Sequence, residues 1–113
     1  MVTNETVRKL ALSFPETDEH PHFDKKAFRV KKKIFATLQE ENRRLMVKLN
    51  LNDQSVFCTF DKSVIYPVPG GWGRQGCTFI ELKKVRKEML IDALTTSYCT
   101  VAPPKLGAQY RPE

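Results

Sequence analysis

The first apolar rhythm along the chain runs from Thr3 to Phe14. Val7, Leu10, Ala11 and Phe14 recur there at i, i+3, i+4 and i+7, the spacing of one helix face. Thr3 or Asn4 can cap this helix and Pro15 ends it. The following "PETDEHPHFD" has two prolines, four acids and no apolar period, and reads as an irregular acidic loop. The period then becomes two. Phe28 and Val30 fall on one face of a strand, with Ala27, Arg29 and Lys31 on the other. After a lysine turn, Ile34, Ala36 and Leu38 share a face. Leu45, Val47 and Leu49 then alternate with Arg44, Met46 and Lys48. With "EENR" as a connection, residues 26–50 read as a three-stranded antiparallel meander with one polar face. Its apolar face needs a cover.

The second half supplies part of that cover. "NDQSVFCTF" reads as a short helix capped by Asn52 or Asp53. "SVIYPV" and "CTFIEL" read as strands joined by a glycine-rich loop, and Pro67 places the first of them at an edge. From about Lys83 to Tyr98 a broad stripe of Val85, Met89, Leu90, Ala93, Leu94 and Tyr98 predicts a long amphipathic helix. Residues 103–113 read as an extended tail. Strands grouped between helices indicate an α+β fold. The expectation is one domain over residues 1–113, an antiparallel sheet of about five strands covered on one face by N- and C-terminal helices.

Composition adds limits. A chain of 113 residues needs only one core. No apolar run approaches the ~18 residues of a membrane span. The N-terminus lacks the basic-then-apolar plan of a secretion signal. A cytoplasmic monomer with no membrane partner is expected. Cys58, Cys77 and Cys99 are odd in number and widely spaced, which argues against a disulfide framework or a structural zinc site. The net charge of +6 favours a polyanionic partner, nucleic acid first.

Two groups of residues could meet such a partner. Lys25, Lys26, Arg29, Lys31, Lys32 and Lys33 cluster around one hairpin, with Arg43, Arg44 and Lys48 further on. Strand parity puts Arg29, Lys31, Arg44 and Lys48 on the same face, where they could neutralise phosphates. A lysine run is also an ordinary guard on an edge strand. The second group lies in "VPGGWGRQGCT". Trp72 either folds back over the core or offers a flat face for stacking, with Arg74 beside it for phosphate. The glycine spacing matches neither a P-loop nor a dinucleotide fingerprint. His20 and His22, with Glu19 and Asp24, have the chemistry of a metal site but no second ligand cluster, so no metal or cofactor is assigned. Ser13, Ser55, Ser63 and Ser97 stand in no catalytic motif, and no enzymatic activity is expected.

Four segments together, "FPETDEHPHF", "AFRVKKKIFATL", "YPVPGGWGRQGCTFIEL" and "VAPPKL", resemble the MmcQ/YjbR family of small bacterial proteins. The resemblance spans nearly the whole chain in order, and its most specific part is the proline–glycine–tryptophan–glycine segment. It implies a CyaY-like fold, similar to the sheet of frataxin with two covering helices. Members of the family are commonly labelled DNA-binding. Frataxins bind iron through a line of carboxylates on their first helix; here that helix carries only Glu5, so iron binding does not follow. Cys77 stands where members often have a second aromatic, and Pro104, followed by Lys105, stands where they often have a basic residue. The resulting expectation is a DNA-binding protein that uses Arg29, Lys31, Lys32, Lys33, Arg44, Lys48, Trp72 and Arg74. The alternative is a small-molecule or protein interaction module in which the glycine loop forms one wall of a pocket, with metal binding a weaker third.

Overall fold

The computed structural model describes residues 2–110. Helix α1 (Asn4–Leu12) leads into β1 (Thr17–His22), β2 (Lys25–Val30), β3 (Lys33–Gln39) and β4 (Arg44–Lys48). Helix α2 (Leu51–Cys58), β5 (Ile65–Pro67), the single turn α3 (Gly71–Arg74) and β6 (Cys77–Glu81) follow. Helix α4 (Lys87–Val101), α5 (Pro104–Gly107) and a 3₁₀ turn (Ala108–Tyr110) complete the described chain. The six strands form one antiparallel sheet in the order β1-β2-β3-β4-β6-β5. The fold is α+β, as the hydrophobic pattern implied.

One face of the sheet is the core. Phe28, Val30, Ala36, Leu38, Leu45, Val47, Ile65 and Ile80 are buried there against Val7 and Ala11 of α1 and Leu90, Ala93, Leu94 and Tyr98 of α4. Among the described residues no helix lies across the other face, and that face carries the site.

Several boundaries differ from the sequence reading, each for a physical reason. The acidic stretch is not a loop: Thr17 to His22 form an edge strand, in register with Val30 to Lys25. An edge strand with little buried surface needs no apolar alternation, and Pro21 is harmless where there is no outer neighbour to receive its missing N–H. Asn50, not Asn52 or Asp53, caps α2, its Oδ1 accepting from Asp53 N at 2.8 Å. The long helix starts at Lys87, and residues 83–86 only connect it to the sheet. Residues 104–110 are not extended: the Tyr110 ring packs edge-on against Phe14 at 5.3 Å and Tyr98 at 5.6 Å. Residues 111–113 of the expected tail lie outside the described residues.

A bulge shapes the open face. Phe28 pairs with Ala36 but Arg29 pairs with Ile34, so Phe35 has no partner on β2. Phe35 and Ala36 are both fully buried, and Ile34 turns to the open face. The buried Ser97 of α4 repairs the ladder. Its Oγ donates to Phe35 O at 2.5 Å and accepts from Lys48 N at 3.1 Å. Ser97→Ala removes both bonds and leaves a buried carbonyl and amide without partners. The expected loss is ~1–3 kcal/mol of stability, read as a lower urea midpoint with an unchanged slope.

Candidate functional site

The open face is a groove. Its floor comes from alternate residues of the central strands: Ile34, Thr37 and Gln39 of β3, Met46 and Lys48 of β4, and Cys77 and Phe79 of β6. Val68 and Trp72 wall it on one side. His22 and Lys25, flanking the β1–β2 turn, close it on the other. The groove, open to solvent on its outer side, has a volume of about 480 Å³.

Trp72 faces outward, with 69% of its surface exposed. The reason lies in the backbone beneath it. A Cβ on Gly73 would stand 1.8 Å from the Val68 carbonyl oxygen, so only glycine fits there. The Gln54 side chain, buried under α3, donates from Nε2 to Gly73 O at 2.8 Å and to Cys77 O at 3.2 Å. Val68 N donates to Cys77 O, and Leu49 N to Gly76 O. The turn is fixed by main chain and by Gln54, so the indole is not needed as its anchor. The reading of Trp72 as a lid over the core does not hold.

The basic residues separate into three groups. Lys25 and Lys48 line the groove. Lys48 also borders a shallower hollow with Lys32 and Lys33, so one end of the groove runs into a cluster of three lysines. Among the described residues, Lys25, Lys32, Lys33 and Lys48 form no ion pair.

Arg29 and Lys31 form the second group and are already neutralised. Arg29 binds Asp18 through Nε at 2.8 Å and Nη2 at 3.1 Å. That guanidinium holds the Asp18 carboxyl below the usual carboxylate range. Lys31 is not on the sheet face at all. It and Lys32 have φ of 51° and 68°, the two left-handed positions of a two-residue hairpin turn, and Lys31 Nζ lies 3.4 Å from Glu16. Strand parity had been carried one residue too far.

Arg44 and Arg74 form the third group. Arg44 is on the open face, but its guanidinium covers Phe79 at 4.0 Å from the ring centroid. Its Nε and Nη2 donate to Gln39 Oε1 at 3.2 and 3.0 Å, and Nη1 faces the Tyr66 hydroxyl, which donates to Glu81. It braces the groove rather than reaching from it. Arg74 is exposed and outside the groove, its guanidinium folded back towards Gly71.

Gln39, Met46 and Phe79 were not picked out as site residues by the sequence reading, while Lys25 stood there only in the hairpin cluster of basic residues and His22 only as a metal-ligand candidate. The first three were within reach of it, because they share the parity of Lys48 or, in "CTFIEL", of Cys77. The last two required β1 to be recognised as a strand. His20 and His22 project two residues apart from that exposed strand, and among the described residues no three metal-ligating side chains converge. No helix among the described residues is long and apolar enough to cross a membrane.

The YjbR family model matches residues 12–100 of the chain. The fold is similar to that of a crystal structure of Deinococcus radiodurans protein DR2400, described with the family-model domain DUF419. The TM-score is 0.78 at 21% identity, over 89% of this chain and 79% of that one. At such identity the likeness is one of fold. No curated protein matches the chain.

Proposed function

The chain belongs to the YjbR family, and from its groove we propose that it is a binding domain for single-stranded nucleic acid. The observation that carries this reading is the exposed Trp72 indole on a largely apolar groove, with lysines at both ends that form no ion pair among the described residues. An unstacked base can lie against an indole at a gain of ~1–3 kcal/mol, whereas a base inside a duplex has no free face to offer. The backbone on either side of that base would run towards Lys25 at one end and Lys48, Lys32 and Lys33 at the other. No chemistry is assigned to the groove. Burial pushes the Cys77 thiol up, which supports a packed thiol rather than a nucleophile.

A second reading has its own support. A volume of about 480 Å³ falls within the ~300–1,000 Å³ of small-ligand sites, so a ring-bearing anion such as a mononucleotide would also fit. Oligonucleotide length separates the two.

Trp72 is the only tryptophan, so its fluorescence reports on the groove directly. Titration with single-stranded oligonucleotides should quench it, with log affinity falling against log salt at a slope of roughly −2 to −3 for three to four neutralised phosphates. Duplex of equal length should bind more weakly. Equal affinity for a mononucleotide would favour the small-ligand reading. No response to any strand at about 50 mM salt, where phosphate contacts are strong, would remove nucleic acid from consideration.

A further inference from the structure

The β1–β2 turn carries a residue its backbone does not favour. His22 pairs with Lys25, leaving Phe23 and Asp24 as a two-residue hairpin loop. Phe23 has a φ of 60°, and Asp24 is not among the positive-φ residues. A two-residue hairpin with positive φ at its first loop position alone is the arrangement that favours glycine there. A bulky aromatic at such a φ is an outlier. Packing does not explain it either. The ring is 93% exposed, and its one ring contact among the described residues is an edge-on approach to His22 at 5.0 Å. A phenyl group is therefore held in water, on a backbone that disfavours it, beside the two residues that close one end of the groove.

We propose that Phe23 is a second stacking residue of the groove, taking a base of the same strand that lies on Trp72. This rests on the single-strand reading above. Two observations support a nucleic acid occupant over a protein one. The flanking His22 and Lys25 line the groove, and Lys25 has no ion-pair partner among the described residues, so the tip presents an aromatic face with positive charge next to it. The far end of the same groove repeats this pairing, with Trp72 beside Lys48. Sequence-tolerant strand binding uses such an alternation of ring and cation along a path. Phe23 contributes contact and no chemistry.

Phe23→Gly suits the test because it relieves the backbone while removing the ring. Affinity for a labelled oligothymidylate of about 12 nucleotides, within the usual site size of such grooves, is read by fluorescence anisotropy alongside thermal melting and sedimentation. Phe23→Gly should bind about 10-fold more weakly, yet melt no lower than the parent. Phe23→Asn, whose side chain also tolerates positive φ, should repeat that loss. Phe23→Tyr should keep affinity within about twofold, since its ring stacks equally well. Parent-like binding by Phe23→Gly and Phe23→Asn, with binding lost in Trp72→Ala, would overturn the role of Phe23 and leave the groove reading standing. A parent protein that binds no strand would sink both. A drop in sedimentation mass on losing the ring would assign Phe23 to self-association instead, and would equally overturn the proposal.

Discussion

Gly76→Ala is expected to cost ~3–5 kcal/mol, the largest loss of stability from any single methyl group in the loop. Two effects add. Gly76 has a φ of 107°, outside the range comfortable for any L side chain, and its Cβ would stand 1.8 Å from the Leu49 carbonyl oxygen. That oxygen cannot yield easily. Leu49 N donates to Gly76 O at 3.1 Å, and Leu49 is itself buried in the core between β4 and α2. Domains of this size have only ~5–15 kcal/mol in total, so the variant should unfold at a much lower urea concentration. Gly73→Ala, with its Cβ 1.8 Å from Val68 O but no positive φ, should lose less than Gly76→Ala. Gly70→Ala is the control. Its φ of 82° and ψ of −153° carry backbone strain, but nothing lies within 4 Å of the new carbon, so the loss should be ~1–3 kcal/mol. Equal urea midpoints for the alanine variants at positions 70 and 76 would mean that the close approach to Leu49 is not a constraint.

That series bears on the site, because the same close backbone approaches shape the turn that carries the indole. The sequence shows the glycines and the tryptophan together but not what they press against. Val68, Leu49 and Gln54 are brought there by the pairing of β4, β5 and β6, and α3 has no local pattern of its own. The elements that were legible are those with one buried face. The alternation in β2, β3 and β4 and the stripe on α4 are direct records of burial, and they located the core and the open face. β1 leaves no such record, and that gap had a consequence. With Asp18 assigned to a loop, nothing indicated that Arg29 was already paired, and with Glu16 in the same loop, Lys31 looked free. Arg44 was misjudged for a related reason. It does lie on the polar face, but its acceptor Gln39 and the ring it covers, Phe79, come from β3 and β6, and strand parity does not say which cations have neighbours. What parity did place correctly is Lys48, and the glycine-rich segment around it marked Trp72.

Those two residues carry the second large effect, and they should fail in different ways. Trp72→Ala is expected to weaken single-strand binding by ~1–3 kcal/mol, or about 5- to 150-fold, at every salt concentration, because stacking releases no counterions. The slope of log affinity against log salt should stay that of the parent. Thermal stability should stay close to the parent as well, since 69% of the side chain is already in water and the turn is held by Gln54 and its own main chain. Lys48→Gln should do the converse. It leaves a polar side chain one atom shorter and removes one charge, so the salt slope should become shallower by about 0.7 and the loss of affinity should shrink as salt rises. Arg29→Gln, by contrast, should leave the slope unchanged, because Asp18 already holds that guanidinium. Its cost should be confined to a surface pair worth ~0–1 kcal/mol. A slope that falls for Arg29→Gln and not for Lys48→Gln would place the phosphate path over β1 and β2 instead of along the groove. A Trp72→Ala variant that loses its fold rather than its affinity would return the indole to the core.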